Sequence, residues 1–95
     1  MKTWAYPVTL EAGDEEGVLI ASFADVPEAI TEGDGEGDAL AQASDALGVA
    51  LLAYMRAGRH LPKAGRGRMV APPPDICAKL ALLEAFASAN MTKTE

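Results

Sequence analysis

The sequence predicts an α+β fold: a small antiparallel sheet with one packed helix, in the order β-β-β-α-β, followed by a C-terminal helix. Three features predict it. Residues 2–10 alternate apolar with polar, and a branched, apolar run follows a short polar turn, which is the pattern of a hairpin. After Asp38 the apolar spacing changes to three and four, the helical period. A proline run at 72–74 then precedes a second helical stretch.

The first strand is "KTWAYPVTL", which sets Trp4, Tyr6, Val8 and Leu10 on one side. Pro7 has no N–H to give a ladder, so the strand is expected at an edge, or with that position turned outward. "EAGDEEG" is a polar turn, and "VLIASFA" has the branched and aromatic residues of a second strand. Asp25-Val26-Pro27 ends that strand, because proline holds the residue before it extended and stops regular pairing. "EAIT", residues 28–31, is a short third strand, after which Gly33, Gly35 and Gly37 puncture the chain.

From Asp38 onward, Leu40, Ala43, Leu47, Ala50 or Leu51, and Tyr54 form a stripe that faces the sheet. Gly58 stands where a left-handed C-terminal cap belongs. Gly48 lies mid-helix, at a cost of up to about 1 kcal/mol against alanine, and would let the helix approach the sheet closely. "RHLPKAGRG" is a basic loop, "RMVA" a short strand and "PPP" a stiff linker. Asp75 is the expected N-cap of "ICAKLALLEAFASAN", which buries Ile76, Leu80, Leu83 and Ala87 along one stripe.

Composition narrows the function classes. At 95 residues the chain makes one small domain, and 49% hydrophobic with 23% charged residues is globular composition rather than disorder. No apolar run approaches the roughly 20 residues of a membrane span, and the N-terminus lacks the apolar core of a secretory signal. Cys77 is the single cysteine, so no internal disulfide forms and a reducing cytoplasm is expected. Residues 1–58 hold eleven acids against two bases, a balance of −9; residues 59–95 hold six bases against three acids, a balance of +3. An acidic half repels nucleic acid and steers basic proteins, although acidity also serves solubility alone.

Six carboxylates crowd into "FADVPEAITEGDGEGDA": Asp25, Glu28, Glu32, Asp34, Glu36 and Asp38. Two-metal catalysis needs acids converging on ions about 4 Å apart, usually from separate elements. These six are consecutive in a glycine-rich stretch, and no carboxylate lies between Lys2 and Leu10 on the first strand. A calcium loop opening at Asp25 places Glu36 twelfth, but Val26, Pro27 and Ile30 break the ligand spacing. Neither a catalytic set nor a metal site is predicted. Glu36 and Asp38 suit the first turn of the helix, with Asp34 or Gly35 as cap.

His60 stands among Arg59, Lys63, Arg66 and Arg68 with no local carboxylate or nucleophile for acid–base work. Those bases lack the interleaved aromatics of a single-strand binder, so a solvated loop or a contact with an acidic partner is expected. Cys77, near a helix start, is read as a half-buried, unreactive thiol over an activated one. Trp4 and Tyr6 are read as core or interface.

The string "YPVTLEAGDEEGVLIASFADVPEAITEGDGEGDALAQASDALGVALLAYMRAGRHLP" resembles the N-terminal domain of HicB-type antitoxins. The shared pattern is a Tyr-Pro-Val strand, a polar turn and a strand ending Phe-x-Asp-x-Pro. A Thr-x-Gly loop and an Ala-Leu-rich helix complete it, and the likeness covers about residues 4–72. The resemblance implies a shortened RNase H-like fold and a non-enzymatic antitoxin with no cofactor. It implies as partner a HicA-type toxin, a small basic mRNA-cleaving ribonuclease whose catalytic histidine the antitoxin covers. Homo-oligomerisation is implied too, through the strand bearing Pro7 or the last helix.

Residues 1–72 are accordingly expected to form the toxin-binding domain. Residues 73–95 would supply a linker and the first helix of an incomplete C-terminal helix-turn-helix. "NMTKTE" would hold its turn, and Thr92 with Glu95 has the spacing of a capping box that opens the next helix. DNA-binding residues stay unassigned, and operator binding with operon autoregulation is expected only of a complete C-terminal domain. Asp25, Glu28, Glu32 and Asp34 are the expected partner contacts. The alternative is an RNase H-like metal-dependent nuclease, active or vestigial, which would need an aspartate that the first strand lacks.

Overall fold

In the computed structural model, which describes residues 4–93, β1 (Tyr6–Ala12) and β2 (Val18–Ser22) form an antiparallel hairpin with Thr9 opposite Ser22. β3 (Ile30–Asp34) pairs antiparallel with the far side of β2, and β4 (Arg68–Val70) with the far side of β1. The order is β3-β2-β1-β4. With α1 (Gly35–Arg56) on one face and α2 (Pro74–Lys93) behind it, the fold is the α+β arrangement expected.

β1 is an interior strand and not an edge, so of the two placements expected for Pro7 it is the second, with that position turned out of the ladder, that the fold takes. The Gly13 N–H donates to the Val18 carbonyl at 2.8 Å, so odd-numbered β1 residues aim their N–H groups at β2. Pro7 would need its missing donor only opposite Ala24, and β2 has already ended at Ser22. On its other flank β4 meets Tyr6 and Val8, which keep their donors. Proline is tolerated because one side of the ladder stops before reaching it.

β3 starts two residues later than expected and runs through Gly33 to Asp34. Val26 N–H donates to the Phe23 carbonyl (3.1 Å) and Ala29 N–H to the Val26 carbonyl (2.9 Å), so residues 23–29 make successive turns. Gly33 is a contact rather than punctuation. A Cβ there would lie 2.5 Å from the Ala39 nitrogen, so only glycine lets α1 cross this closely.

α1 buries Ala39, Ala43, Leu47, Ala50, Leu51 and Tyr54 against the sheet and its flanking segments, where Trp4, Tyr6, Val8, Ala21 and Phe23 complete the core. Burying Leu47 and Leu51 fully stabilises the fold by about 1.5–3 kcal/mol each. Gly58, at φ 72, ends the helix as expected. Its N–H bonds the Met55 carbonyl (3.1 Å) while the Arg59 N–H bonds Tyr54 (2.9 Å), the paired bonds of a Schellman cap.

α2 departs from expectation at both ends. Pro74 takes the first helical position, where its absent N–H costs nothing, so Asp75 lies in the first turn and is not the cap. The helix runs unbroken to Lys93, so no turn follows Asn90 and Thr92 is helical; Glu95, like Lys2, lies outside the described residues. Leu80 is buried, Ile76 and Leu83 are half-buried, and Ala87 is exposed. Gly48 faces this helix rather than the sheet, since a Cβ there would meet Ile76 Cγ2 at 2.9 Å. α2 thus packs on α1, and among the described residues no helix covers the opposite face of the sheet.

Candidate functional site

The fold sends the six carboxylates of residues 23–39 to three different places. Asp25 and Glu28 go to the basic loop after α1. Asp25 Oδ2 accepts the Gly65 N–H at 2.9 Å. Glu28 Oε1 accepts the Tyr54 hydroxyl at 2.8 Å, and its Oε2 lies 3.6 Å from Arg59 Nη1. The Arg59 guanidinium in turn sits 4.0 Å over the Tyr54 ring. The Tyr54 bond, helped by Arg59, holds the Glu28 carboxyl below its ordinary range. The same bond pushes the Tyr54 hydroxyl up. Tyr6 adds a third tie by donating to the Pro62 carbonyl at 2.6 Å; burial, then Asp25, raises its hydroxyl.

Glu36 and Asp38 serve the start of α1. Glu36 pairs with Arg68 of β4 at 2.7 Å, which holds its carboxyl below the usual range. Asp38 Oδ2 accepts the Asp34 N–H at 2.9 Å. Asp34 does occupy the N-cap position, but its own side chain makes no capping bond.

Glu32 and Asp34 go to the uncovered face of β3, where both are exposed. Residues opposite one another in register share a face, so Glu32, Ile20 and Glu11 form one row across three strands. Val18 lies beside Asp34 in the next row, and Ile30 beside Ser22 and Thr9 in the one before. Ile30 keeps 62% of its surface and Met69, opposite Pro7, keeps 47%. Sequence reasoning missed Glu11. It ended the first strand at Leu10, whereas β1 continues to Ala12 and therefore does carry one carboxylate. The alternation of Leu10 and Ala12 around Glu11 was the available signal.

The remaining candidates lie apart from this face. His60, Lys63 and Arg66 are exposed on the loop. Cys77 is half-buried, with Sγ 3.4 Å from the Pro72 carbonyl. Trp4 and Tyr6 are core residues, and the Trp4 indole N–H has no partner among the described residues. A groove of about 470 Å³ between the end of α1 and α2 is lined by Met55, His60, Leu61 and Leu83. Among the described residues, no three His, Cys, Asp or Glu side chains gather as metal ligands. Among the same residues, no helix is long and apolar enough to cross a membrane.

By fold, then, the described residues make a small α+β domain of four antiparallel strands and two helices. The family described as HicB_like antitoxin of bacterial toxin-antitoxin system matches residues 5–85. The chain belongs to this HicB-like antitoxin family. It is 37% identical to Antitoxin HicB 1 of Photorhabdus laumondii, over 100% of this chain and 62% of the relative. It is 33% identical to Antitoxin HicB of Escherichia coli K12, over 95% of this chain and 67% of the relative. Antitoxin HicB 2 of Photorhabdus laumondii is 38% identical over 99% and 68%. The chain thus spans about two thirds of the length of these relatives.

Proposed function

We propose that this chain neutralises a small basic HicA-type ribonuclease toxin by binding it and covering its catalytic histidine, with no bond-making chemistry of its own. The family match over residues 5–85 carries the reading. The −9 balance of residues 1–58 supports it, since an acidic surface steers a basic partner into encounter. The expected contacts Asp25, Glu28, Glu32 and Asp34 belong to that acidic half. Residues 1–72 would be the toxin-binding domain, working in the cytoplasm. Residues 73–95 would lead into a C-terminal DNA-binding domain through which the full-length protein represses its own operon as an oligomer.

The test is co-expression with a cognate small basic HicA-type toxin. A complex that co-elutes on gel filtration and stops mRNA cleavage by the toxin is the expected outcome. Separate migration with undiminished cleavage overturns the reading. The nuclease alternative is checked on the same material. Magnesium- or manganese-dependent cleavage by the purified chain, lost in Asp25→Asn with Asp34→Asn, would put catalysis in its place.

A further inference from the structure

We propose that the docking surface is the uncovered face of the sheet, where Ile20 lies between Glu11 and Glu32 and Ile30 stands beside Glu32 on the edge strand β3, which ends at Asp34, and that its occupant is a basic protein. The inference rests on the antitoxin reading and assigns it a surface. α1 packs on one face of the sheet and α2 packs only on α1, which leaves the second face bare among the described residues. An antiparallel sheet tolerates one wet face when that face is polar. Here the strands instead present a half-buried Ile20 and Val18 and an Ile30 that keeps 62% of its surface. Exposed apolar groups interspersed with charges are the make-up of a contact surface.

Charge selects the occupant. Every ionisable side chain that the strands place on this face is acidic, because Arg68, opposite Val8, lies on the other face and pairs with Glu36. The carboxylates of Glu11, Glu32 and Asp34 meet no partner among the described residues. Asp25 and Glu28, by contrast, already hold the Gly65 N–H and the Tyr54 hydroxyl, so a partner's cation would have to displace those bonds. Nucleic acid is repelled by such a face. A second copy is disfavoured as well, since two-fold pairing of a surface with itself sets acids against acids. A basic protein surface with an apolar centre is complementary in both respects.

The test measures binding of a purified cognate HicA-type toxin to the wild-type chain and to four variants, with thermal unfolding to verify each fold. Ile30→Ser should weaken affinity about tenfold or more, because it removes the most exposed aliphatic side chain on this face. Glu11→Gln with Glu32→Gln should slow association and flatten its salt dependence by about tenfold between low and high salt. Of the four expected contacts the inference keeps Glu32 and Asp34 and releases Asp25 and Glu28, which the loop already holds, so Asp25→Asn and Glu28→Gln should leave affinity within about threefold. Normal affinity in the open-face variants, with loss in the other two, moves the surface to the loop and overturns the inference while the antitoxin reading stands. A wild-type chain that fails to bind the toxin overturns both. A dimer of the chain alone that Ile30→Ser dissociates hands the face to a second copy and overturns the choice of occupant.

Discussion

On the face of the sheet under α1, Tyr6, Val8 and Ala21 keep 4, 9 and 0% of their surface, whereas on the other face Ile30 keeps 62% and Met69 47%. The same strands build both faces, and alternation alone decides which residue goes where. The covered face is apolar and complete: its neighbours include Leu47 and Leu51 of α1, both fully buried. The uncovered face mixes aliphatic groups with Glu11, Glu32 and Asp34 and has no second layer among the described residues. Stability and recognition can therefore be assigned to opposite sides of one sheet, and each assignment can be broken separately.

The largest effect is expected where the covered face is densest. Leu47→Ala removes a side chain with 0% exposure and should cost about 2–5 kcal/mol in urea unfolding. A cost below 1 kcal/mol would mean that α1 does not seal this face, and the comparison would collapse.

Next in size is Gly33→Ala, expected to cost about 1–3 kcal/mol, because the new methyl meets the Ala39 backbone at 2.5 Å and backbone cannot step aside. Gly48→Ala sharpens the point. There the obstacle is Ile76 Cγ2 at 2.9 Å, a side-chain methyl that can rotate, and alanine returns up to about 1 kcal/mol of helix propensity. Its net effect should be the smaller of the two in the same unfolding assay. Equal losses would show that α2 grips α1 as rigidly as α1 grips β3.

How much of this was legible in the sequence follows from the range of the interactions involved. Local rules sufficed for the order of elements, for the α1 stripe and for Gly58, because periodicity and a left-handed cap are set by residues a few positions apart. They failed wherever a distant segment decides. Pro7 marks an edge by its own chemistry, yet its strand is central, since β4 arrives from sixty residues away and approaches the side that still has donors. Gly33 and Gly48 look like breaks until Ala39 and Ile76 are seen against them. The acids show the same limit. Their count was visible, but Asp25 and Glu28 are tied down by Gly65, Tyr54 and Arg59, and the register that groups Glu32 with Glu11 is a property of three strands together.

The smallest effect, and the most local, concerns the acids held on the loop side. Glu28 titrates below its unfolded value, so its bond to Tyr54 contributes fully above that value and is lost as pH falls through the folded one. Tyr54 titrates above its ordinary value of about 10, so its contribution is full below that value and is lost as pH rises through the folded one. Between these windows the start of the loop at Arg59 is pinned. Global stability is a poor readout, because Glu36 with Arg68 loses its pairing in the same acid range. Amide exchange at residues 59–61 separates the two, since Glu36 and Arg68 meet at the far end of the loop. Protection there, taken relative to the intrinsic exchange rate at each pH, should fall on acidification in the wild type, and in Tyr54→Phe it should be low already at neutral pH with a weaker acid response. If Tyr54→Phe exchanges as slowly as the wild type, Glu28 is not anchoring the loop. Its carboxylate would then be as available to a partner as Glu32, and the division between the two sides of the sheet would lose one of its supports.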